Sequence, residues 1–162
     1  MRIKYRVAGY VKLAKLWERS SEEAICYHHD YYRNKYEDNE SMQLVDVYID
    51  ITGQKELRKR SEMVRLLADC LKDKVNCIST QTKAYLAANN REFFYLLHFL
   101  FTRKPEIEIV TEDKNYHINT IENHDNQKEA LRSMVADYVK LNPADYSNWE
   151  MQLIREINKI HE

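Results

Sequence analysis

The stretch LVDVYIDITGQKELRKRSEMVRLLADC, residues 44–70, decides the fold class. Residues 44–51 alternate apolar with polar or acidic side chains, the period of a β-strand. Thr52 and Gly53 end that strand, and a charged loop over residues 54–59 follows. Met63, Leu66, Leu67 and Cys70 then recur at helical spacing, predicting a helix that ends near Lys74. A strand passing through a short loop into a helix is half of a β–α–β unit, so the rest of the chain should repeat the alternation.

It does so in both directions. Residues 3–13, rich in Val, Ile and Tyr, read as a first strand in which Gly9 permits close packing. Ser20 followed by Glu23 is a capping-box signature, and it predicts a helix over residues 24–36. Downstream, residues 75–80 read as a short third strand. Residues 90–103 read as a helix whose apolar middle suits burial against a sheet, closed by Pro105. Residues 107–110 form a fourth strand, and residues 115–120 carry the pattern of a further edge strand. Two helices finish the chain. The first places Leu131, Met134, Val135 and Tyr138 on one face; after the break at Asn142-Pro143, the second does so with Trp149, Leu153, Ile157 and Ile160. The expected class is α/β with a mostly parallel sheet of four to five strands. Residues 1–125 would form the α/β domain and residues 126–162 a C-terminal helical extension.

Composition removes several function classes. Lys and Arg total 25 against 26 Asp and Glu, for a net charge of −1, so any grip on nucleic acid must come from a local patch. Phosphate-cradling loops need several glycines, and the chain has 2, Gly9 and Gly53. Cys26, Cys70 and Cys77 show neither CxxC spacing nor an even count, which argues against a zinc knuckle and a disulfide framework. No cofactor and no metal is expected. The most apolar stretch, residues 93–101, is too short to span a bilayer, and no signal core follows the first residues. No membrane association is expected, and the cytoplasm is the expected compartment.

Three stretches, in order, resemble the catalytic domain of the serine site-specific recombinases, the resolvases, invertases and their larger transposon relatives. The first is Tyr10-Val11-Lys12-Leu13-Ala14, where the family has Tyr-Val-Arg-Leu-Ser or a close variant, with the serine as nucleophile. The second is Tyr48-Ile49-Asp50-Ile51-Thr52-Gly53 followed by Arg60-Ser61-Glu62-Met63, against an acidic strand end, Ser-Gly, then Arg-Pro and an aromatic. The third is Lys74-Val75-Asn76 with Tyr85-Leu86-Ala87-Ala88-Asn89 and Glu92, where the family has Arg-Leu-x-Arg-Asn and a later Glu. The resemblance spans roughly residues 1–140 and implies a resolvase-like three-layer domain.

The departures carry the functional expectation. Family members cut DNA by serine attack on a phosphodiester, with arginines holding the non-bridging oxygens. That chemistry needs a hydroxyl nucleophile and fixed cations where charge builds. Ala14 stands at the serine position, Lys12 replaces an arginine and loses its bidentate fork, and Tyr85 and Ala88 stand at the paired arginines. No catalytic residue of the family is intact at these positions, and the family mechanism cannot operate through them.

Other groupings compete with this reading. Cys26 and His29 share a helix face and could form a thiolate–imidazole dyad. They lack an acidic orienter at evident spacing and any oxyanion loop, and beside His28, Tyr27, Tyr31 and Tyr32 they fit a packed or half-exposed aromatic face better. His117 and His124 flank Glu122 and Asp125, which fits either a metal site or a polar loop. Lys55, Arg58, Lys59 and Arg60 are the best candidate anion-binding patch, and a solvated loop explains the same run. The tyrosines Tyr27, Tyr31, Tyr32, Tyr36 and Tyr48 suit an interface or a core.

The expected function is a catalytically inactive, serine-recombinase-like pseudoenzyme acting by protein contact as an accessory or modulator of DNA recombination by a mobile element. In the family, the long helix after the sheet mediates dimer contact and leads to a DNA-binding domain. The resemblance therefore makes Leu131, Met134, Val135 and Tyr138 a candidate dimer interface, with a second copy or a recombinase-like protein as partner. One short helix follows here, so DNA binding by the chain alone should be weak or absent. The alternatives are an enzyme with a different site, built for example from Cys26, His29 or Tyr85, and a regulatory or structural module unrelated to recombination.

Overall fold

The structure, a computed structural model, describes residues 3–122 and 126–160. Its centre is strand β1, Tyr5–Leu13, flanked on one side by β2, Met42–Ile51, and on the other by β3, Cys77–Thr80, with β4, Glu108–Thr111, at the far edge. All pairings are parallel: Leu13 lies opposite Ile51, Tyr10 opposite Thr80, and Thr80 opposite Thr111. A bulge between Val7 and Ala8 shifts the β1–β2 register and lets both strands run their full length.

Strand alternation then assigns the two faces. Val7, Val11, Val47 and Cys77 point to one side, where helix α1, Ser21–Tyr36, covers them with Tyr32 and Tyr36. Ala8, Tyr10, Tyr48 and Ile78 point to the other side, under α2, Ser61–Leu71, and α4, Asn90–Phe101. Between β3 and α4 lies a short helix, α3, Lys83–Leu86, started by Thr82, whose hydroxyl accepts the Ala84 N–H at 3.2 Å. The final pair, α5, Gln127–Leu141, and α6, Pro143–Lys159, pack against α4 and α2 respectively and join the same core. Three layers result, as the resemblance implies.

Several expected boundaries move. Residues 115–120 do not form a strand. Asn119 makes one antiparallel bridge to Val110; the Thr111 and Thr120 N–H groups donate to the Ile118 and Ile109 carbonyls, but their hydroxyls accept the return bonds, leaving a sheet of four strands. Ser20 closes a 3-10 helix, Lys15–Ser20, and its side chain makes no capping bond; the capping box does not form, and α1 begins at Ser21. Helix α2 stops at Leu71 rather than near Lys74, where Asp73 turns the chain with a φ of 60°. Helix α4 ends at Phe101, and β3 starts at Cys77 rather than residue 75. Among the described residues, no helix is long and apolar enough to cross a membrane.

The last helix is tied down by a buried carboxylate. Glu92 is 5% exposed; one oxygen accepts the Leu57 N–H at 3.1 Å and the other the Trp149 indole N–H at 2.8 Å. Leu153 and Ile157 continue that contact into the core, while Ile160 stays 44% exposed. The apolar stripe of α6 is thus used within the chain.

Gly9 is where the α1 layer presses hardest on the sheet. A Cβ at this position would lie 2.8 Å from Cγ of the Tyr32 ring, closer than carbon atoms can pack. Tyr32 is itself fully buried, so it has nowhere to move. We expect Gly9→Ala to lower unfolding free energy by about 1–3 kcal/mol in urea denaturation, the usual range for overpacking. Shrinking the neighbour, in Gly9→Ala/Tyr32→Leu, should return part of that loss. An unchanged midpoint for the single variant would show that α1 rides higher on the sheet than described.

Candidate functional site

Ligands of open parallel sheets sit at the carboxyl ends of the strands. Here that edge gathers Lys12 of β1 with Ala14 just beyond it, Asp50 of β2 with Thr52 just beyond it, Arg60 before the start of α2, and Tyr85 on α3.

Asp50 is the organiser of this edge. It is 4% exposed and accepts three bonds: from the Tyr10 hydroxyl at 2.8 Å and from the backbone N–H groups of Glu62 and Met63, each at 2.9 Å. A strand-borne carboxylate thereby caps α2 from outside the helix, where unpaired N–H groups and the positive dipole end favour an anion. Burial, with Asp50 alongside, raises the Tyr10 phenol well above its ordinary pKa, so it stays a neutral donor.

Arg60 is 1% exposed, and its guanidinium is held mainly by the backbone. It donates to the carbonyls of Tyr85 at 2.7 Å, Leu86 at 3.2 Å, Lys55 at 2.8 Å and Gln54 at 3.3 Å. The β2–α2 loop and α3 are pinned together by one side chain. The other cations of the sequence run take different places. Arg58 and Lys59 both pair with Glu56, at 3.2 and 3.6 Å, and border an open groove with Lys159 of α6. Lys55 is exposed. The four do not converge on one anion pocket, because the most buried of them has its donors committed to carbonyls.

Of the positions matched to the family's catalytic residues, three border this edge and one does not. Lys12 is half-buried, and its ammonium donates to the Thr52 carbonyl at 3.3 Å. Desolvation lowers its pKa, the charge of Arg60 lowers it further, and Asp50 opposes both. Ala14 is exposed at the strand end and offers only a methyl group. Tyr85 is half-buried on α3, which packs against β1. Ala88 faces away, into a groove between α3, α4 and α5. At the bottom of this edge lie the cations of Lys12, which has no bidentate fork, and Arg60, whose guanidinium is held by backbone carbonyls.

The remaining candidates separate. Cys26 is exposed, with its sulfur 3.9 Å from an Asp30 carboxylate oxygen, and it makes no bond with His29. His28 is buried edge-on to the Tyr27 ring at 5.0 Å, and burial lowers its pKa. The dyad does not form. His124 and Asp125 lie outside the described residues; His117 is exposed, and among the described residues no cluster fit to hold a metal ion occurs. Tyr32, Tyr36 and Tyr48 are core residues, Tyr31 bonds Glu112, and Tyr27 is exposed. On α5, Val135 is fully buried, and Leu131 and Tyr138 lean on the core, with Tyr138 edge-on to Phe94 at 5.0 Å. Met134 is 45% exposed, the free member of the stripe.

No family model matches the sequence, and neither does any curated protein. Among solved structures, the fold is similar to the N-terminal catalytic domain of TP901-1 integrase, with a TM-score of 0.58 and 17% identity over 85% of this chain and 96% of that one. It also matches the C-terminal catalytic domain of ISC1926 TnpA, an IS607-like serine recombinase, with a TM-score of 0.49 and 15% identity over 97% and 99% of the two chains. The likeness to the integrase domain shows that this chain has the fold of a serine-recombinase catalytic domain.

Arg60 gives a direct test of the edge. Lysine keeps the charge but cannot reach carbonyls on two separate segments at once. We expect Arg60→Lys to cost about 2–4 kcal/mol in urea denaturation, since buried carbonyls lose their donors. Limited proteolysis should then cut first in the 54–59 loop. A variant as stable and as protease-resistant as the parent would show that water replaces the guanidinium without loss.

Proposed function

We propose that this chain is a catalytically inactive serine-recombinase-like protein that modulates DNA recombination by a mobile element through protein contact. The partner is a second copy or an active recombinase. The observation that carries the reading is Ala14 at the exposed end of β1, where the resemblance places the nucleophilic serine. A methyl group cannot attack phosphorus, and serine-type transfer needs a hydroxyl. Two facts support it. Tyr85 and Ala88 bring no cation to the positions where the resemblance expects arginines, and the Arg60 guanidinium is committed to backbone carbonyls. The integrase domain that shares the fold is described as catalytic; the inference here is that the scaffold is kept while the chemistry is lost.

DNA affinity follows from charge. With a net charge of −1, and with Arg58 and Lys59 each paired to Glu56, the best candidate patch offers a duplex little clustered positive charge. The chain alone should bind DNA weakly and release it at moderate salt. Protein contact is better supplied. The α5 stripe covers α4 with Val135 but leaves Met134 and, at 81% exposure, Leu141 uncovered.

Two experiments test this. On labelled and supercoiled DNA, with or without divalent metal, we expect neither cleavage nor a denaturation-resistant adduct. Ala14→Ser alone should restore nothing, because one missing transition-state donor already costs about 3 kcal/mol. An adduct with either protein would refute the inactive reading. By sedimentation equilibrium, the wild type should self-associate at micromolar concentration and Met134→Glu should shift it toward monomer. A wild type that stays monomeric throughout removes the second copy as partner.

A further inference from the structure

Between α3, the start of α4 and α5 lies a groove of about 490 Å3, on the far side of α3 from the Arg60 edge. That volume is within the range of small-molecule sites, roughly 300–1,000 Å3. Phe93, Phe94, Ile118 and Leu131 line it together with Met134 of the exposed α5 face, and the small side chain of Ala88 leaves one end open. Lys83 is the one charged residue among the described residues that line it.

Lys83 is held at the mouth rather than neutralised. Its ammonium donates to the Tyr116 carbonyl at 3.4 Å and lies 5.5 Å from the centroid of the Tyr116 ring. The nearby Asp113 carboxylate is engaged elsewhere, accepting the Thr82 hydroxyl at 2.8 Å and the Lys83 backbone N–H at 2.9 Å. Among the described residues, no carboxylate pairs with the Lys83 ammonium. Tyr116 is 86% exposed and sits at a φ of 57°, so a large aromatic is held out over the entrance in a conformation that non-glycine residues rarely adopt. Asn89, also at the rim, uses its side-chain oxygen to cap α4, at 2.9 Å from the Glu92 N–H, which leaves its amide hydrogens as donors.

We infer that this groove binds a small aromatic anion. The rings lie against Phe93 and Phe94, and the anionic group meets Lys83 and the Asn89 amide at the mouth. The chemistry selects against the other classes. A cation would face Lys83, whereas a purely apolar molecule would cover the ammonium and return nothing to it. A flat aromatic body suits the phenyl faces in the groove.

The probe is 8-anilinonaphthalene-1-sulfonate, whose charge is fixed across the working pH, with neutral N-phenyl-1-naphthylamine as its uncharged counterpart. Fluorescence titration of the full chain should saturate at one sulfonate per protein. Lys83→Gln should weaken the sulfonate roughly fivefold, the scale of one partly exposed charge contact, and should not weaken the neutral dye. Ala88→Trp fills the open end from an exposed position and should abolish both dyes while thermal unfolding stays cooperative. Sulfonate affinity untouched by either substitution, or binding that never saturates, overturns the proposal. So does an Ala88→Trp variant whose dimerisation changes while its dye binding does not, because the groove would then serve a second copy.

Discussion

The buried guanidinium of Arg60 is the constraint on which the upper edge of the sheet depends. A charge at 1% exposure is tolerated only when its hydrogen-bond donors are met and an opposite charge is near. Here carbonyls from two loops meet the donors, and Asp50 on the adjoining strand supplies negative charge to the same pocket, where both groups act on the Tyr10 phenol. The arrangement is exclusive. Donors that hold the backbone carbonyls of residues 54, 55, 85 and 86 cannot also clamp phosphate oxygens without releasing those loops. What resembles half of a phosphate site is, in this chain, a rivet between segments.

Asp50 shows how the second strand serves the helix above it. On β2, the residues that look solvent-directed by polarity face α2. Asp46 pairs with Arg65 at 3.2 Å, the Tyr48 hydroxyl donates to Asp69 at 2.6 Å, and Asp50 caps the helix start. Arg65 also stacks over Tyr48, 4.1 Å from the ring centroid. The strand–helix contact is therefore a polar seam at its margins with Met63, Leu66 and Leu67 in the middle. The seam orients α2, and its first turn in turn positions Arg60.

Periodicity made the α/β class, the order of the elements and the parallel sheet legible, because strand and helix repeats differ and the chain alternates them cleanly. It did not reveal α3, which is too short to show a repeat, nor the failed capping box, where a 3-10 turn takes Ser20 first. Residues 115–120 have strand composition, but only two backbone ladder bonds form there, and two threonine hydroxyls accept the return bonds in place of carbonyls. At the site, Ala14 was readable because a missing hydroxyl is a property of residue type. The burial of Arg60 was not, since a run of Lys, Glu and Arg looks solvated until the loop carbonyls that surround it are known. Glu92 paired with Trp149 could not be found either, as nothing local joins residues so far apart in the chain.

That last pairing bears on how the protein comes into being. Residues 5–111 carry all four strands and α4, and all of them are synthesised before α6. Until then, Glu92 would have the Leu57 N–H but not the Trp149 indole, and the apolar floor beneath Leu153 and Ile157 would lie open. An emerging chain in that state displays a sticky, incompletely paired surface, the kind that chaperones cover. Closure of this part of the core therefore waits for α6.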